Sequence, residues 1–253
     1  MTIYNQDQCH LITQICLLAG KIILQNGGET YRVEDTMVRI AAAYGIESAQ
    51  SFVTPTGLIF AIDGSTQMTK LVRISERNTN LLKVTLVNDV SRKISNGDLP
   101  PEEAYKLLQN IDQKPHAYHD GYKVLAAAVA CGCFLIMFQG SWSDFLPAAV
   151  IGGLGFLFFL ILHHYVPIKF FAEFVTAIFI GATASLVVHF GWGTNLDKII
   201  IGSVMPLVPG LHITNAVRDL MAGHLVSGLS KGAEAFLTAF AIGAGIATVL
   251  SFY

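Results

Sequence analysis

Charge is scarce in this chain. Asp, Glu, Lys and Arg make up 13% of the 253 residues, against roughly 25% in soluble globular domains. The formal net charge is −2, and no basic stripe or arginine-rich arm is present, which argues against nucleic acid as a partner. The four cysteines form no C-x-x-C. Cys9 and Cys16 lie on one helical pattern and Cys131 and Cys133 in an apolar run, so packed free thiols are expected rather than a disulfide framework. The first ten residues lack a basic stretch followed by an apolar core, so they do not read as a secretory signal. P-loop, G-x-S-x-G and H-E-x-x-H patterns are all missing, and no spacing selects a catalytic set. No enzyme activity, cofactor or metal is implied.

What is present is apolar and unevenly placed. Hydrophobic residues make up 53% of the chain. Residues 1–120 hold 11 of the 16 Lys/Arg and 13 of the 18 Asp/Glu. The expected division is a cytosolic α+β domain over residues 1–115 and a transmembrane domain over residues 116–253.

In the first part, helical apolar spacing covers residues 11–24 and 30–44, with Gly45 at the C′ position and Asp35 and Arg39 as an i,i+4 pair. Short alternating runs at about 47–53, 57–63 and 68–75 read as strands, separated by Thr54-Pro55-Thr56-Gly57 and Asp63-Gly64-Ser65. Helices at about 80–94 and 101–111 follow, the latter opened by a proline. The order is ααβββαα. Residues 112–121, with Pro115, His116 and His119, read as a solvated link rather than a metal site.

About 20 apolar residues cross the hydrocarbon core of a bilayer. Residues 122–139, 145–163, 170–190 and 233–253 are expected spans. Residues 196–205 are too few for a span on their own and run into Pro206-Leu207-Val208-Pro209-Gly210, which removes two backbone donors. An apolar pattern then resumes over 211–228, so a broken fourth span is expected, about five in all. Lys/Arg placement in the loops, with Arg218 and Lys231 before the last span, puts the amino-terminal domain inside and the carboxyl terminus outside.

A broken span offers transport chemistry. Non-helical backbone at membrane depth persists where protein buries it or water reaches it, and half-helix amino termini attract anions. Pro206, Pro209 and Gly210 would shape the break. Thr214, Asn215, Arg218 and Asp219 would put a cation, a carboxylate and neutral donors on one face, suited to an amino acid or a dicarboxylate. A proline-kinked helix with Arg218 and Asp219 as interfacial topology anchors fits the same residues, and the sequence leaves both open. Glu173 is a candidate coupling carboxylate, with an interfacial pair to Lys169 as the alternative; Glu234 is read with the same reserve. Glu29, Tyr31 and Arg32 form a candidate cytosolic gate, although acidic residues at a helix start also complement its dipole. Gly152-Gly153-Leu154-Gly155 and the glycines at 243 and 245 read as close helix packing.

Three blocks carry a resemblance: Gly27-Gly28-Glu29-Thr30-Tyr31-Arg32-Val33-Glu34-Asp35-Thr36, then Thr54-Pro55-Thr56-Gly57, then Pro206 to Gly210 followed by Thr214-Asn215-Ala216-Val217-Arg218-Asp219-Leu220. Together they resemble the threonine/serine exporter family, in particular the large subunit of its split form. The resemblance implies a bacterial inner-membrane, ion-gradient-driven exporter of threonine and serine or, in some relatives, succinate, completed by a separate small membrane protein. Five spans that start inside end outside, so a five-span partner subunit or an oppositely oriented copy would supply an inverted repeat. The competing readings are a membrane-anchored hydrolase and a regulatory sensor acting through the cytosolic domain.

Overall fold

A computed structural model describes residues 6–63, 67–114, 118–166, 168 and 170–252. The expected turn residues Gly64 and Ser65, the link residues Pro115 and His116, the loop cation Lys169, residues 1–5 and the final Tyr253 lie outside the described residues. The chain divides into two compact units: Met1–Ala117 with Leu211–Gly232, and Tyr118–Gly210 with Ala233–Tyr253.

The first unit opens with helices α1 (Gln6–Gln25) and α2 (Thr30–Ala43), continues through strands β1 (Ala49–Thr54), β2 (Gly57–Ile62) and β3 (Met68–Arg73), and adds α3 (Leu81–Ser95) and α4 (Pro101–Gln113). The strands form one antiparallel sheet in the order β1-β2-β3, with Phe52 opposite Ile59 and Ile59 opposite Leu71. Alternation along each strand sends Val53, Leu58, Phe60 and Ile62 into the core and leaves Phe52 and Leu71 exposed, as a period of two requires. Ile15, Ile22 and Ile23 of α1 and Val33, Met37 and Ile40 of α2 are buried with them. The Tyr44 hydroxyl donates to the Leu99 carbonyl at 3.0 Å, and burial pushes its phenol up to about 12.

Two later segments complete this unit: most of α9 (Gly210–Met221) and the first turns of α10 (Leu225–Leu250). Gly223, with φ of 87°, closes α9. Its N–H reaches the Leu220 carbonyl at 3.1 Å and the His224 N–H reaches the Asp219 carbonyl at 2.9 Å, the paired bonds of a Schellman end. The apolar pattern expected over 211–228 is therefore two helices. The last helix starts at Leu225 rather than 233 and runs unbroken through Lys231 and Gly232.

The second unit contains α5 (Asp120–Met137), α6 (Phe145–Tyr165), α7 (Phe171–His189), α8 (Leu196–Val204) and the rest of α10. Among the described residues four helices are long and apolar enough to cross a membrane: Asp120–Met137, Trp142–Tyr165, Phe171–His189 and Leu225–Leu250. The stretches Leu196–Leu207 and Gly210–Met221 meet the same test only as a bent pair, giving up to five spans. Leu146, Phe236 and Phe240 are exposed, an arrangement suited to hydrocarbon.

Small residues set the helix spacing inside this unit. A Cβ on Gly152 would fall 2.2 Å from Cys131 Sγ, on Gly155 2.6 Å from Ile180, and on Gly245 2.5 Å from the Phe174 carbonyl, whereas Gly243 faces open space. The expected packing role therefore fits three of these glycines and not Gly243. At the start of α8, the fully buried Asp144 accepts the Thr194 N–H and hydroxyl, both at 2.7 Å, and the Asn195 N–H at 3.1 Å.

The proline segment behaves as its covalent chemistry dictates. Met205–Leu207 make one 3-10 turn, and Val208 leaves helical geometry with φ −64° and ψ 128°, the extended region to which a following proline drives its neighbour. Helix α9 begins at Gly210, immediately after Pro209.

Candidate functional site

Among the described residues of the first unit, a buried polar arrangement is built around the turn between α1 and α2. Gly28 has no room for a side chain there: a Cβ would fall 2.3 Å from Ile23 Cγ2. This tight turn directs the Gly27 and Gly28 carbonyls and the start of α2 at α9 and α10. The Asn215 amide donates to the Gly27 carbonyl at 2.8 Å, and the Lys231 ammonium to the Gly28 carbonyl at 3.3 Å.

Helix α2 begins without a cap of its own, because the side chain of its N-cap residue Glu29 makes no capping bond. Asp219, 189 residues away, supplies one. It accepts the Thr30 N–H at 2.9 Å and the Thr30 hydroxyl at 2.8 Å, satisfying a donor that helix geometry leaves unpaired and placing negative charge at the positive end of the helix. Lys231 donates to the same carboxylate at 2.7 Å and to Thr30 Oγ1 at 3.3 Å. Its three ammonium donors therefore have three acceptors. Asp219 and Thr30 are fully buried, and Lys231 nearly so.

Beside this closed ion pair lies a more open one. Arg218 pairs with one oxygen of the Glu29 carboxylate, and Arg32 approaches the other at 3.4 Å. Glu29 is 5% exposed, while the Arg218 and Arg32 side chains are 56% and 49% exposed. A third contact flanks the cluster: Glu34 accepts the Val53 N–H at 2.8 Å and lies 3.8 Å from His224 Nε2. The arrangement holds the Glu29 carboxylate between two guanidinium groups that still face solvent.

Of the candidate residues read from sequence, the structure brings Asn215, Arg218 and Asp219 together with Glu29 and Arg32. Tyr31 is exposed. Thr214 is exposed one turn before Arg218. Pro206, Pro209 and Gly210 belong to the second unit and shape the break there. Glu173 lies in the first turn of α7, also in the second unit. Sequence reasoning gave no role to Thr30, although it lies in a quoted block, and took Lys231 only as a charge near the membrane. The signal available for Lys231 was its position, twelve residues after Asp219 in an otherwise apolar stretch. Among the described residues no group of three or more His, Cys, Asp and Glu is placed to hold a metal.

The profile of the threonine/serine exporter family, ThrE, matches residues 14–253. The chain belongs to the threonine/serine exporter family. It is a multi-pass membrane protein of a transporter family. The "Probable succinate transporter subunit YjjP" of Klebsiella aerogenes is 24% identical over 251 residues, covering 98% of this chain and 96% of that protein. The Escherichia coli protein of the same name is also 24% identical, with the same coverage. The "Threonine/serine exporter" of Corynebacterium glutamicum is 24% identical across 96% of this chain, which spans 51% of that longer protein. No solved structure matches the chain.

Proposed function

We propose that the chain is the larger subunit of a two-component exporter in the bacterial inner membrane. It exports small carboxylate-bearing solutes, threonine and serine or a dicarboxylate such as succinate, driven by a coupled ion gradient. A separate five-span membrane subunit completes the pathway. Arg218 binds the solute carboxylate, and Asn215 and Asp219 fix the face of α9 that carries it. Pro206, Pro209 and Gly210 form the hinge before α9, Glu29 and Arg32 the gate, and Glu173 the coupling carboxylate.

The observation that carries this reading is the pairing of Arg218, on the helix that follows the proline break, with a carboxylate held in the turn before α2. A guanidinium recognises carboxylates through a planar fork of donors. The relatives' printed names point to the same chemistry, because threonine, serine and succinate share a carboxylate. The short and long relatives bear on the partner: a chain of this length is named a subunit, and the longer exporter is about twice its size.

The test is efflux from vesicles loaded with threonine, serine or succinate, with and without a co-expressed small subunit. Export is expected only with both proteins present, and Arg218→Ala is expected to reduce it at least tenfold while insertion is unchanged. Full, oriented flux from the reconstituted chain alone would reject the two-component reading. Wild-type export by the Arg218 variant would reject the site.

A further inference from the structure

Three cationic groups, Arg32, Arg218 and Lys231, directly contact two carboxylates, Glu29 and Asp219. These five groups alone sum to one positive charge, and the Glu34 carboxylate flanks them. The two carboxylates are held differently. Asp219 is fixed by a buried ammonium, a backbone N–H and a hydroxyl. Glu29 is held by two guanidinium groups, each about half exposed to solvent. A solute reaching the cluster from outside meets the donors of Arg218 and Arg32, not those of Lys231.

We infer that the Glu29 carboxylate is a tethered stand-in for the solute, occupying the Arg218–Arg32 pair until a solute carboxylate displaces it. This rests on the proposed export function and adds an internal competitor to its site. The exchange replaces one carboxylate–guanidinium contact by another, so it changes the partner of Arg218 without leaving that cation unpaired. Displacement of Glu29 releases only its contacts with Arg218 and Arg32, while Asn215, Asp219 and Lys231 keep the turn and the helix start in place. A dicarboxylate spans both guanidinium groups. The ammonium of an amino acid meets the released Glu29, so the same residue discriminates between the two solute types.

The test is binding of succinate and of serine to the full chain in nanodiscs. Removing the internal competitor raises the binding-competent fraction, so Glu29→Gln is expected to tighten succinate binding roughly tenfold. Serine is expected to gain less, because it loses the partner of its ammonium. Glu29→Asp, with a shorter tether, is expected to fall between wild type and Glu29→Gln for succinate, and this second variant guards against a folding defect in the first. Arg218→Ala is expected to abolish binding in either background. Equal succinate affinity of wild type, Glu29→Gln and Glu29→Asp would overturn the inference and leave the export reading standing. No binding of either solute to any variant, wild type included, would overturn both.

Discussion

Asp219 in the first unit and Asp144 in the second make nearly the same bonds in different electrostatic settings. Each is fully buried and accepts both the N–H and the hydroxyl of a threonine: Thr30 for Asp219, across 189 residues, and Thr194 for Asp144, across 50. Asp144 adds a further backbone donor, the Asn195 N–H, and the nearby Lys198 ammonium goes to the Phe138 carbonyl instead. Asp219 adds the buried ammonium of Lys231. One carboxylate thus pins a turn with neutral donors, and the other belongs to a charge network that reaches solvent through Arg218 and Arg32. The difference separates a structural clamp from a clamp with an exchangeable neighbour.

The comparison is broken most directly by removing each charge. Asp219→Asn leaves Lys231 buried without its counter-ion, and breaking a buried ion pair from one side costs about 3–5 kcal/mol. Asp144→Asn loses one acceptor for neutral donors, a loss of about 1–3 kcal/mol. Denaturant unfolding of the detergent-solubilised protein should therefore rank Asp219→Asn as the more damaging. The reverse order would mean that the ion pair does not set the two sites apart.

A second change locates the excess cost. In Asp219→Asn with Lys231→Met, no unpaired ammonium remains, so the loss should fall back to about that of Asp144→Asn, with strong non-additivity between the two substitutions. A double variant as unstable as the single one would place the cost in the capping of α2 rather than in the buried charge.

Legibility followed the range of the interaction. The proline break could be read because Pro206 and Pro209 impose their constraints on adjacent residues, and Val208 obeys them. The start of α2 and the strand alternation around Phe60 were readable from local period, and the long apolar helices from length alone. The polar face of α9 could also be seen, but not what it meets. Nothing local to Asp219 specifies Thr30 as its partner, and the sequence of α9 would look the same facing a water-filled cavity. The reversal at Gly223 was missed for a related reason. The apolar pattern continues across it, and a left-handed glycine costs the pattern nothing. Lys231 read as a topology charge because its neutralisation depends on that reversal, which brings α10 back beside Asp219.

The smallest expected stability change sharpens the comparison most. Arg218 and Asp219 are adjacent in sequence, yet one side chain is 56% exposed and the other buried. Arg218 is half exposed, and the buried Glu29 carboxylate keeps Arg32 when Arg218 is removed, so Arg218→Ala should cost less than the roughly 3–5 kcal/mol of Asp219→Asn while export falls at least tenfold. Measured side by side, stability should follow the buried pair and transport the open one. If Arg218→Ala instead destabilised the protein as much as Asp219→Asn, the two ion pairs would form a single structural unit. Glu29 would then be a fixed part of the fold and could not serve as an exchangeable ligand.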